Sequence, residues 1–98
     1  RVAGEVPPEK IKTILNTALS GKLQLSINQL NELVNEYGLS GQNIIKNIHR
    51  EIYGLDIPEM EKIDLAKLLA ESEYRLSQGG TEEIQLQALL AKIVLLKE

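Results

Sequence analysis

Glycine interrupts this chain at intervals that leave room for helices and little else. Gly21, Gly38, Gly54 and the pair Gly79-Gly80 each follow a run of apolar residues spaced three and four apart, the repeat of one face of an α-helix. Glycine is favoured just past a helix end because the backbone turns left-handed there and a Cβ opposes that turn. The spacing predicts an all-α five-helix bundle.

The apolar residues agree with this. Phe, Trp and Cys are absent, the aromatics are Tyr37, Tyr53 and Tyr74, and valine stands only at positions 2, 6, 34 and 94. A core must then be built from Leu, Ile, Val and Ala, which suits helix packing and gives a poor strand signal. The 98 residues fit one domain, read as spanning 1–98. Its opening Arg1-Val2-Ala3-Gly4, without an initiator Met, reads as the edge of a linker, so the expectation is a domain cut from a longer protein.

The first helix is expected from about Pro8 to Ser20, with Ile11, Ile14, Leu15, Ala18 and Leu19 on one face and proline tolerated in the first turn. The second runs from about Lys22 to Tyr37, its stripe formed by Leu23, Ile27, Leu30, Val34 and Tyr37, with Leu33 broadening it. The third opens at Leu39-Ser40-Gly41 and ends near Gly54. Ser40 is its natural N-cap, and Leu39 and Ile44 have the spacing of a hydrophobic staple. The fourth starts in Asp56-Ile57-Pro58-Glu59, either with Asp56 as cap and Glu59 closing a capping box or with Pro58 as first helical residue, and reaches about Gln78. Thr81 caps the fifth, with Glu82 and Glu83 where the helix dipole favours negative charge. From Ile84 to Leu96 the only polar residues are Gln85, Gln87 and Lys92. A helix this apolar is either the centre of the bundle or has one face against another chain.

No catalytic constellation emerges. Gly21-Lys22 is followed by Leu23, lacks the upstream glycine of a phosphate-binding loop, and lies between two helices, so it reads as a helix stop. His49 is the one histidine. The lysine and glycine that follow the histidine of helical phosphotransfer domains are missing, since Ile52 and Tyr53 stand there, and Lys46 replaces the glutamate of a Glu-x-x-His metal pair. The carboxylate pairs Glu59/Glu61, Glu71/Glu73 and Glu82/Glu83 are one or two residues apart, which on a helix turns them to different sides. No metal or cofactor site is therefore expected. The net charge of −3 and scattered Lys and Arg argue against a nucleic-acid footprint. A helix-turn-helix reading remains as the alternative, with Gln42, Asn43, Lys46, Asn47 and Arg50 on the third helix as its candidate DNA contacts. No run of about 18 apolar residues is present, so no membrane partner is expected.

Several segments, in order, resemble the C-terminal domain of the archaeal replication factor C small subunit. They are Pro8-Glu9-Lys10-Ile11, Leu15-Asn16-Thr17-Ala18-Leu19-Ser20-Gly21-Lys22, Glu36-Tyr37-Gly38-Leu39-Ser40-Gly41, Ile48-His49-Arg50-Glu51-Ile52, Leu55-Asp56-Ile57-Pro58, Tyr74-Arg75-Leu76 and Ile84-Gln85-Leu86-Gln87-Ala88-Leu89-Leu90-Ala91. The resemblance implies a helical collar that associates side by side with identical or homologous clamp-loader subunits in a ring. It also implies an intracellular, cytoplasmic setting. ATP and Mg would belong to an ATPase domain outside these residues, and the sliding clamp and primer-template DNA would be met through the full complex. Tyr74-Arg75-Leu76 and Gln85-Leu86 match the family pattern best. Together with the apolar last helix they give a candidate subunit interface of Tyr74, Arg75, Gln85, Leu86, Leu89, Leu90 and Ile93. Ser26-Ile27-Asn28-Gln29 departs from relatives that are richer in alanine and arginine, which would alter oligomer geometry if that face lies at a subunit boundary.

Overall fold

The computed structural model describes residues 5–97 and places five helices among them: α1 Pro8–Leu19, α2 Leu23–Tyr37, α3 Gly41–Ile52, α4 Glu59–Ser77 and α5 Glu82–Leu95. The linker edge expected at Arg1–Gly4 lies outside the described residues.

The glycine stops are where the pattern puts them. Gly79 has φ 91° and its N–H donates to Leu76 O at 3.1 Å, while Gly80 N donates to Arg75 O at 2.9 Å. This pair of bonds satisfies two carbonyls that α4 would leave bare. Gly21 closes α1 in the same way, with Gly21 N on Ala18 O and Lys22 N on Thr17 O.

At the start of α3, Asn43 N donates to Ser40 Oγ at 3.1 Å and Ser40 N donates to Asn43 Oδ1 at 3.2 Å, a complete capping box. Leu39 and Ile44 are both buried, as the staple spacing predicts. The start of α4 differs from both sequence expectations. Pro58 is the residue before the helix, its carbonyl accepting from Glu61 N at 3.0 Å, and Glu59 is the first helical residue. Pro58 itself takes φ −59° and ψ 150°, outside the helical region, and Asp56 stands two residues further upstream, too far to cap. Thr81 does stand at the N-cap of α5, though its side chain makes no capping bond.

α1 packs with α2, α3 with α4 and α4 with α5, while α1 also packs on α3. α5 packs on all four others and is the centre of the bundle. Its Leu86, Leu89, Leu90 and Ile93 meet Ile11 and Leu15 of α1, Ile44 and Ile52 of α3 and Leu65 of α4 in one continuous core. α2 and α4 flank α5 without touching each other. The side of α5 away from the core therefore lies open between them.

Candidate interaction surface

The residues marked by sequence for a subunit interface separate into two sets. Leu86, Leu89, Leu90 and Ile93 are 6%, 1%, 1% and 0% exposed and belong to the domain's own core. Their spacing of three, one and three turns them all to one side of α5, and that side faces inward. Tyr74 and Arg75 lie at the surface near the end of α4, Tyr74 at 65% exposure. Gln85 is half-buried at the α4–α5 turn, where its Cγ would sit 3.1 Å from a Cβ placed on Gly80.

Arg75 turns back along α4 toward Glu71. Its Nε lies 3.5 Å from Glu71 Oε1, one helical turn back. Lys92 of α5 donates to the same carboxylate oxygen. The Lys92 ammonium, through that hydrogen bond and its charge, and then Arg75 hold the Glu71 carboxyl below its ordinary value. At the other end of the same helix pair Lys97 donates to Glu61 Oε2 at 3.2 Å. Two cation–carboxylate contacts thus tie α4 to α5.

Apolar surface is present, on Tyr74 of the candidate set and otherwise on residues outside it. Ile84 and Leu95 are 64% and 62% exposed on the outer side of α5, with half-buried Ala88 and Ala91 between them. Met60, Ile63 and Tyr74 are exposed along α4. The signal was available in the helical phase. Residues 84, 88, 91 and 95 recur by four, three and four, on the opposite side from 86, 89, 90 and 93.

A second groove runs between α3 and α4, lined by Ile45, Lys46, His49, Ala66, Leu69, Ala70 and Glu73. His49 packs edge-to-face on Tyr53 with ring centroids 5.7 Å apart. The Glu71/Glu73 pair diverges as its spacing implies, Glu71 reaching Lys92 and Glu73 lining the α3–α4 groove, whereas Glu82 and Glu83 both line the groove between α2 and α5. Among the described residues no group of three or more His, Cys, Asp or Glu side chains is placed to hold a metal ion, and no helix is long and apolar enough to cross a membrane.

The helix-turn-helix alternative meets an obstacle in the side chains of α3. Asn43 is used in the capping box, and Asn47 is buried, its Oδ1 accepting from Val6 N. Arg50 donates to Asn47 Oδ1 at 2.6 Å and to Glu51 Oε2 at 3.0 Å, and its Nη1 lies 3.6 Å from Glu5. Three of the five candidate DNA contacts are therefore engaged within the fold. They instead form a clamp that sequence reasoning missed, because Asn47 and Val6 are far apart in the chain.

Comparison with known proteins places the chain among proteins of one kind. Residues 6–92 match the family described as the Replication factor C C-terminal domain. Proteins named Replication factor C small subunit are 40% identical over 98% of this chain in Methanocaldococcus jannaschii, 41% over 99% in Methanococcus maripaludis and 42% over 97% in Sulfolobus acidocaldarius. The chain spans 5%, 31% and 30% of the lengths of these three relatives.

Proposed function

The chain belongs to the replication factor C C-terminal domain family, and on that premise we propose that it is the collar of a clamp-loader small subunit, holding neighbouring subunits side by side in a ring. In this reading the domain catalyses nothing. Binding of ATP and Mg, opening of the sliding clamp and loading onto primer-template DNA fall to the remainder of a longer subunit and its neighbours.

The observation that carries the reading is the match over 6–92 to a C-terminal domain, in relatives whose name is that of a subunit. Two physical features support it. A packed bundle with a central helix is a rigid body, which suits a fixed point against which other domains move. Met60, Ile63 and Tyr74 on α4 and Ile84 and Leu95 on α5 leave apolar side chains exposed, and such surface favours a protein partner.

Competition tests the reading. Excess 98-residue chain added to the full-length small subunit that contains it should occupy neighbour sites and lower the mass of the assembly in native mass spectrometry. An assembly whose mass is indifferent to any excess would overturn the collar role.

A further inference from the structure

Residues 5–7 enter the bundle under two independent constraints. The first lies in the backbone. Val6 precedes Pro7 and Pro7 precedes Pro8, and each proline fixes its own φ and disfavours helical backbone in the residue before it. Pro7 has φ −56° and ψ 133°, and Pro8 is the first residue of α1. The direction of the segment is thereby set relative to α1. The second constraint comes from α3. Val6 N donates to Asn47 Oδ1 at 3.3 Å, and Val6 O accepts from Arg50 Nη2 at 3.5 Å. The same Arg50 nitrogen donates to Asn47 Oδ1 at 2.6 Å, which closes the group on itself.

Both backbone polar groups of Val6 are thus held by side chains of one helix, while its own side chain is 4% exposed in the core. A residue fixed at its N–H, its C=O and its side chain can neither slide nor turn. Arg50 extends the hold, with Nε donating to Glu51 Oε2 at 3.0 Å and Nη1 lying 3.6 Å from Glu5 Oε1. Its planar fork serves acceptors in several directions at once. Freedom of movement is the default between domains of one chain, and a plain connector needs none of these bonds. We infer that Asn47 and Arg50 lock residues 5–7 onto α3, so that the part of a longer subunit preceding Glu5 leaves the domain along one fixed direction. The inference rests on the reading of this domain as the C-terminal part of such a subunit, and it makes Arg50 the positioning residue of the junction.

The lock decides where the subunit bends. Motion between this domain and the rest is excluded from residues 5–7, and a displacement that arrives at Glu5 passes to α1 and α3, which pack on each other and on α5. The lock can also open without unfolding the core, because the side chains of Arg50 and Glu5 are 43% and 52% exposed.

Backbone amide relaxation by NMR on the 98-residue chain tests the lock. The Val6 amide should have an order parameter of about 0.85, that of rigid backbone, and Arg50→Met combined with Glu51→Gln should lower it below about 0.6. The second substitution leaves no carboxylate bare. Arg50→Lys should lower it as well with the charge kept, because a compact ammonium cannot serve acceptors on different sides. All three replacements are good helix formers, so circular dichroism should stay unchanged. In the full-length subunit that contains this chain, a glutamate-specific protease should cut the Glu5–Val6 bond slowly, since cleavage waits for the backbone to open. The double variant should be cut about tenfold faster, the equivalent of one hydrogen bond to a charged group. A Val6 amide as rigid in both variants as in the wild type overturns the lock, and so does wild-type cleavage as fast as the variant's. Neither readout depends on assembly, so the collar role stands or falls separately by the competition experiment.

Discussion

Asn47 reaches back forty-one residues to accept the backbone N–H of Val6 at 3.3 Å, while its own Nδ2 donates to Asn43 O at 2.8 Å. Val6 is itself buried, so the chain enters the bundle already fastened to α3. Asn47→Ala removes the acceptor and leaves that N–H in an apolar setting, at a cost of about 1–3 kcal/mol. Urea denaturation should show this loss, and hydrogen exchange at the Val6 amide should accelerate. Unchanged exchange would mean that Val6 is held by packing alone.

Leu90 is 1% exposed in the core. Leu90→Ala should cost about 2–5 kcal/mol, read as a lower thermal midpoint. Leu90→Glu should abolish cooperative unfolding and much of the helical circular dichroism, because a carboxylate there has no partner. Retained helicity in the glutamate variant would place Leu90 outside the core.

Ser40 supplies one half of the capping box on α3. Ser40→Ala should destabilise the domain by about 1 kcal/mol, and Ser40→Asp should restore most of it. The measurement is the urea midpoint at constant slope.

The Glu71 carboxyl, held by Lys92 and then Arg75, is shifted downward. A depressed carboxylate binds fewer protons in the folded state, so its contribution is present above the unfolded value of about 4.3 and fades as pH falls through the folded value. Side-chain carboxyl titration by NMR should place Glu71 below the ordinary glutamate value of about 4.3, and Lys92→Met should return it toward that value. The stability change is small because the carboxylate is at the surface.

Local signals were legible in the sequence wherever the physics is local. Gly21, Gly38 and Gly79 take positive φ at helix ends, and Ser40 caps α3, because caps and stops depend on a few adjacent residues. The start of α4 was open between Asp56 as cap and Pro58 as first helical residue, and the non-helical backbone of Pro58 left neither. Interface residues were harder. An all-round apolar α5 has no single apolar face, so sequence alone favoured Leu86, Leu89, Leu90 and Ile93. Only the position of α5 among its four neighbours shows that these point inward and Ile84 and Leu95 outward. The Asn47–Val6 clamp was illegible for the same reason, since it depends on tertiary proximity.

The central place of α5 orders events in time. In a chain made from its N-terminus, α1 to α4 leave the ribosome first, and each lacks the element on which it later packs. Their apolar sides must wait, and the domain closes only when its fifth helix arrives. The surface that α2 and α5 share does not exist before that moment.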